Sequence, residues 1–210
     1  TELLFGMARK RIPAEERRLR VLEAAVEVFA GHGYSAAKMQ DIAARAGVVP
    51  SVLYDHFDSK RELFKTVLEL HAEQLRDRSL RPVEGASAEQ LVRASVATYF
   101  AFVEEDPFLF RFLHRDPPAD PEIATVCQQI ADRGTEAIAD LIRFGAGDAK
   151  PVKGITLDDA AWILARATQS ACHGVATWWY ENRDVPRERV VELVFMLLWQ
   201  GFDGMLRQAN

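Results

Sequence analysis

The chain is poor in cysteine, with only Cys127 and Cys172 in 210 residues. Two thiols cannot make the disulfide framework of a small secreted domain, so both are expected to be free in a reducing cytoplasm. Long apolar runs are missing as well. None approaches the ~20 residues that span a bilayer, so no membrane partner is expected. Thr1 to Gly6 has no charged n-region and is too short for a secretory signal. Met7, followed by Ala8-Arg9-Lys10-Arg11, reads as the natural start, and residues 1–6 are set aside. No Gly-rich phosphate loop is present. His32, His56, His71, His114 and His173 form no His-x-x-x-His or Glu-x-x-His pair, so neither a metal nor a cofactor is expected. Positive charge is not in excess. Lys plus Arg is 26 against 31 for Asp plus Glu, giving a net charge of −5 and a pI near 5.6. Taken whole, that balance argues against a nucleic-acid binder.

What is present is helical period. The composition, 49% hydrophobic and 27% charged, is that of a globular protein. Leu19, Leu22, Ala25, Val26 and Phe29 line one face, and Gly31 and Gly33 stop that helix. Met39, Ile42, Ala43 and Ala46 repeat the pattern up to Gly47. Pro50 suits the first position of a third short helix that carries Leu53 and Phe57. Ser59-Lys60-Arg61-Glu62 is a capping box opening a fourth helix, about 60–79, and Ser87-Ala88-Glu89-Gln90 is a second box. An aromatic-rich short helix with Phe108, Phe110 and Phe112 follows Asp106-Pro107. A longer helix starts after Asp120-Pro121, residues 145–156 form a loop, and two long helices cover about 157–182 and 186–208. No strand alternation of useful length is present. The expected fold is all-α, with about nine helices.

The strongest signal lies between Lys38 and Lys60. Two short amphipathic helices meet at Ala46-Gly47-Val48, where Gly47 permits a left-handed turn. Such a pair is a helix-turn-helix, whose second helix can lie in a DNA major groove. Leu53 and Phe57 anchor that helix, leaving Ser51, Val52, Tyr54, Asp55 and His56 for its other faces.

The run Gly33-Tyr34, Met39-Gln40-Asp41-Ile42-Ala43, Ala46-Gly47-Val48 and Leu53-Tyr54-Asp55-His56-Phe57-Asp58-Ser59-Lys60-Arg61-Glu62-Leu63 closely resembles the N-terminal domain of TetR-family transcriptional repressors. The resemblance covers about 50 residues, from Arg17 to Phe64. It implies a three-helix DNA-binding head, placed at residues 7–62, on a helical effector-binding and dimerisation body at 63–210. It further implies a homodimer, a palindromic operator in double-stranded DNA, and a small effector that releases the protein from it; the aromatic-rich body would favour an apolar effector. The sequence departs from the family pattern twice. Ala37 and Lys38 stand where a Thr-Thr pair is usual, and Val49-Pro50-Ser51-Val52 replaces a Ser-x-Gly-Thr opening. Val49 lacks a capping hydroxyl, and Val52 offers a surface suited to a thymine methyl.

The expected DNA contacts are Lys38, Val49, Pro50, Ser51, Val52, Tyr54, His56 and Lys60, with Arg9, Lys10 and Arg11 as a basic arm. Lys60 at the first turn of a capped helix is expected to join free backbone N–H groups in a phosphate site. In the body, Tyr99, Phe102, Phe112, Trp162, Arg166 and Trp178 are candidate pocket residues, and Arg166 is a candidate partner for an acidic head group. Ala167, Ala171, Gly174, Leu193, Leu197, Leu198 and Gly201 are candidate dimer-interface residues on the last two helices. Two other classes compete: a protein-binding module whose head has lost DNA function, and a helical enzyme, for which His114 with Asp116 is the sole weak suggestion. No catalytic residue is assigned.

The charge divides at the motif. Residues 9–61 hold 10 Lys/Arg against 7 Asp/Glu, while residues 62–210 hold 16 against 23. A mildly basic head on an acidic body can approach DNA in one orientation only.

Overall fold

The computed structural model describes residues 13–79, 85–105, 107–115, 118–146 and 154–208. Every regular element among them is helical. They are α1 (Ala14–Ala36), α2 (Met39–Ala46), α3 (Pro50–Tyr54), α4 (Lys60–Ser79), α5 (Ala88–Glu105), α6 (Pro107–Phe110), α7 (Pro121–Ala146), α8 (Leu157–Glu181) and α9 (Arg187–Gln208). A π-helical turn, Arg111–Arg115, runs on from α6. No described helix is long and apolar enough to cross a membrane. The chain divides into two compact units, Thr1–Val67 and Leu68–Asn210.

The first unit is built on a small aromatic core. Phe29 meets Phe64 edge-on at 4.8 Å between ring centroids, and Tyr34 sits 4.8 Å from the same Phe64 ring. Ile42, Leu53, Phe57, Leu63 and Val67 complete it, all essentially buried. Each such side chain contributes about 1.5–3 kcal/mol by leaving water. α3 has five residues, too few for a stable isolated helix, and Leu53 and Phe57 hold it to this core. α1 breaks at Gly33 as expected, where φ and ψ are 74° and 164°, and one further turn, to Ala36, follows. Gly47 adopts φ 68°, ψ 29°, and the Val48 N–H returns to the Ala43 carbonyl at 3.0 Å, closing the end of α2.

α4 opens as its sequence requires. The Glu62 N–H donates to Ser59 Oγ at 3.1 Å, and the Glu62 carboxylate reaches back to the Asp58 N–H at 2.6 Å. Lys60 does something else. Its ammonium donates to the carbonyls of Tyr34 (2.9 Å), Ser35 (3.1 Å) and Ala37 (3.0 Å), and lies 4.7 Å from the centre of the Tyr34 ring. A helix leaves its last carbonyls without intrahelical partners, and a cation there is favourable for both hydrogen bonding and the dipole. One ammonium at the start of α4 therefore closes the end of α1.

The second unit packs α5, α8 and α9 around Val96, Phe100, Val103, Phe110, Cys172, Ala176, Trp179, Val190, Val194 and Leu198. The Trp179 indole N–H donates to the Val185 carbonyl at 2.8 Å, fixing the α8–α9 turn. Arg187 at the start of α9 pairs with Glu104 of α5 at 2.6 Å. α7 packs on α8 through a small-residue seam of Ala139, Ala161 and Ala165. Beside the seam, the fully buried Thr135 hydroxyl lies 2.7 Å from Gln169 Oε1 and 3.0 Å from the Ala131 carbonyl, and the Gln169 amide donates to that carbonyl at 3.0 Å. A Cβ on Gly134 would meet the Gln169 amide nitrogen at 3.1 Å, so the missing side chain makes room for this bridge. The Ser87–Gln90 box is reciprocal: the Gln90 N–H donates to Ser87 Oγ at 3.2 Å and the Ser87 N–H to Gln90 Oε1 at 2.9 Å.

Replacing Lys60 by Met keeps the aliphatic stem and removes three charge-assisted hydrogen bonds to half-buried carbonyls. K60M is expected to destabilise the first unit by about 2–3 kcal/mol. Chemical denaturation followed by circular dichroism measures this. An unchanged midpoint would mean that water replaces the ammonium at no cost.

Candidate nucleic-acid interface

The turn at Gly47 brings α2 and α3 into contact and leaves one side of α3 free of the core. Leu53 faces inward and is fully buried. Val49 is 60% exposed and Tyr54 50% exposed, and Pro50 and Ser51 lie at the surface with them. Val52 and His56 are half-buried. Pro50 occupies the first helical position, where its missing N–H is no loss, and Val49 gives the helix no side-chain cap. The segment 49–56 thus offers two valines, a proline, a hydroxyl, a phenol and an imidazole within one short stretch, and no cation.

Lys38 stands immediately before α2, exposed, with its backbone carbonyl accepting from the Asp41 N–H at 3.1 Å. Arg45, the other cation of α2, is paired with Glu27 of α1. The ammonium of Lys60, expected at a phosphate, already has three partners within the chain. All three of its ammonium protons point at carbonyls, so a phosphate would have to displace bonds that hold α1 to α4. Lys60 places the interface rather than presenting a free charge to it. Arg9, Lys10 and Arg11 lie outside the described residues.

The candidates in the second unit do not gather into one site. Tyr99 on α5 packs against Phe100 and, at 5.9 Å between ring centroids, His173 of α8. Phe102 is buried on α5, and Phe112, in the π-helical turn, packs tilted against Phe108 at 4.9 Å between ring centroids. Trp162 and Trp178 are surface side chains of α8 in the single chain, sixteen positions or about 24 Å apart along one helix. Arg166 is nearly half exposed and pairs with Asp132 at 3.4 Å, an exposed ion pair worth little by itself. Burial also raises the Cys172 thiol from its ordinary 9.0 to about 12, and both cysteines are free.

Of the interface candidates, Ala167, Gly174, Leu193 and Leu197 lie on exposed faces of α8 and α9, with Leu193 and Leu197 each more than 60% exposed. Leu198 is corrected to a core residue. It points into the cluster with Trp179 and Val194, and Ala171 packs against that cluster too. Gly201 falls within α9, among residues whose side-chain surroundings are not described.

Sequence reading missed two features. One is the Lys60–Tyr34 pair, which is separated by 26 residues and has no periodic signature. The other is His71, which is buried on α4 with its ring 5.1 Å from that of Phe108. A histidine at a core-facing position of α4 was the available signal.

Residues 21–67 match the model of the bacterial regulatory proteins of the tetR family, and residues 82–209 match a Tetracyclin repressor-like C-terminal domain. The chain is 34% identical over 196 residues to the HTH-type transcriptional activator FasR of Mycolicibacterium smegmatis, covering 91% of this chain and 85% of that protein. The fold is shared with a transcriptional regulator from Pseudomonas aeruginosa (TM-score 0.76, 17% identity, 97% of this chain and 99% of that one). It is shared also with FadR of Bacillus subtilis, solved in complex with stearoyl-CoA (TM-score 0.72, 18% identity, 86% and 96%). With both units matched, the helix-turn-helix of α2 and α3 is that of a DNA-binding transcriptional regulator, and the chain belongs to the TetR family.

Proposed function

We propose that the protein is a homodimeric, ligand-responsive repressor that binds a palindromic operator and leaves it when an apolar effector occupies the second unit. The observation that carries the DNA-binding part is the exposed side of α3, with Val49, Pro50, Ser51 and Tyr54 at the surface and Val52 half-exposed beside them. In a two-fold dimer, two such helices about 34–36 Å apart meet successive major-groove faces. The dimer reading is supported by the unpartnered apolar side chains of the last two helices, Trp178, Leu193, Met196 and Leu197. The effector reading is supported by the fold shared with an acyl-CoA complex. Coupling is proposed to run through α4, which carries Lys60 at its first residue and, within the second unit, His71 with its ring 5.1 Å from that of Phe108. Such a regulator works in the cytoplasm, where the operator is. A second reading, activation, is favoured by the Mycolicibacterium relative, which is a transcriptional activator.

Selection from random double-stranded DNA with the purified protein is expected to enrich an inverted repeat with half-sites about one helical turn apart. No enrichment at low salt overturns the DNA reading. A reporter driven through the selected site is expected to fall when the protein is supplied, and a rise establishes activation instead.

An α3 without Lys or Arg cannot make the bidentate contact to guanine O6 and N7, and its valines and proline match thymine methyls. Replacing the contacted thymines by uracil removes only those methyls. Each is expected to weaken binding about fourfold, from roughly 0.8 kcal/mol per buried methyl-sized group. Equal affinity for the uracil operator removes the valines from base reading.

Lys38 is expected to contact phosphate. For a dimer, K38A removes two such contacts and lowers the slope of log K against log salt by about 2. A parallel line with an unchanged slope assigns Lys38 no phosphate.

A further inference from the structure

Three buried side-chain polar atoms among the described residues have no hydrogen-bond partner: Arg17 Nε, Ser79 Oγ and Tyr99 Oη. Arg17 keeps other N–H groups, and Ser79 ends the described part of α4. Tyr99 is different. Its ring is only partly covered, yet its hydroxyl oxygen is sealed between helices of the second unit. It faces α8, close enough to Cys172 for the two to interact electrostatically, with the His173 ring at 5.9 Å. Around it are the apolar side chains of the Phe100–Trp179 cluster.

A buried hydroxyl without a partner is unfavourable, and folded proteins satisfy nearly all of theirs. This same unit does so for Thr135, which it supplies with Gln169 and the Ala131 carbonyl. We propose that the Tyr99 hydroxyl is the polar anchor of the effector site, donating to a neutral acceptor, the carbonyl of an ester, thioester or amide, on an otherwise apolar ligand held between α5 and α8. The proposal rests on the effector reading above and adds the ligand's chemical class and the atom that recognises it.

The neutral class follows from the surroundings. Desolvation holds the Tyr99 hydroxyl well above the ordinary phenol range, with the neighbouring Cys172 adding to the effect, and burial holds the Cys172 thiol up to about 12. Both keep their protons at neutral pH, and a carboxylate placed there would lose its hydration in the same way. A carbonyl oxygen loses less hydration and accepts a hydrogen bond from the hydroxyl. The ligand's chain replaces protein contacts with apolar contacts of its own.

The test uses the full chain and the variant Y99F, with methyl laurate, tridecane and laurate delivered from the same cyclodextrin carrier and binding read from tryptophan fluorescence. Wild type is expected to prefer the ester to the alkane by about five- to tenfold beyond their difference in the carrier. Y99F is expected to lose that preference while binding the alkane unchanged. The thermal midpoint of ligand-free Y99F is expected to equal or exceed that of wild type, because the variant removes an unsatisfied group. Equal ester-to-alkane ratios in the two proteins overturn the proposal and leave the effector reading standing. A Tyr99-dependent preference for laurate over its ester overturns the neutral class, and a clear fall in the ligand-free midpoint shows that the hydroxyl already has a partner. Absence of binding by all three probes to both proteins overturns the proposal and counts against the apolar-effector reading as well.

Discussion

The first unit depends on a single ammonium. α1, α2 and α3 are short or kinked, and α3 could not persist alone. What fixes their mutual placement, besides the Phe29–Phe64 core, is Lys60, set between three carbonyls at the end of α1 and resting on Tyr34. The Ala37 carbonyl lies two residues before Met39, the first residue of α2, so the same charge that closes α1 also sets where α2 begins. Lysine suits this position because its ammonium is a compact point charge with three donors. The planar fork of arginine matches a carboxylate or phosphate better than three converging carbonyls.

This arrangement changes how the electrostatics of the interface are understood. A cation count over the head overstates the charge that is free to meet DNA. Lys60 is committed to carbonyls, Arg45 to Glu27, and Arg20 to Glu16 at 2.8 Å. Arg18 lies over the Phe57 ring at 5.2 Å, which bonds the guanidinium's face but leaves its N–H groups their edge directions. On the proposed function, recognition would fall to shape and methyl contact from α3, and affinity to a few peripheral cations, among them Lys38. Such a division makes the uncharged side chains of residues 49–54 the carriers of sequence discrimination.

Local features were legible in the sequence because each is written within a few residues. The Ser59–Glu62 and Ser87–Gln90 boxes, the left-handed Gly47 and the inward Leu53 and Phe57 all stand in the structure as their spacing implies. Features set by the meeting of distant segments were not legible. Lys60 reads as a surface cation until Tyr34 is known to lie beneath it. Leu198 and Leu197 are adjacent leucines on an apolar helix, and periodicity does not say which of them faces the chain's own core. The aromatic stretch Phe108 to Phe112 reads as one α-helix, yet it changes to a π-helical turn at Arg111, where the helix takes on a wider turn than a 3.6-residue pattern can reveal.

The two units also treat polar groups differently, and this bears on how a bundle can carry a signal. Along the α7–α8 seam every element is small or satisfied. Ala139, Ala161 and Ala165 allow close approach, and Thr135, Gln169, Arg166 and Asp132 are linked to one another or to the backbone. A seam of that kind has one good arrangement and resists change. The α5–α8 seam is built from larger side chains around an unsatisfied hydroxyl, so its arrangement carries a cost that a hydrogen-bonding ligand would relieve. Differential stability between two arrangements is what a ligand requires in order to shift a population. The rigid seam and the frustrated one share α8. A rearrangement admitted at Tyr99 is therefore borne by α5 and the residues that follow it, Phe108 and Phe112 included, rather than by α7. Within the second unit Phe108 meets the ring of His71 on α4 and packs on Phe112, so the deformable seam continues into these aromatics.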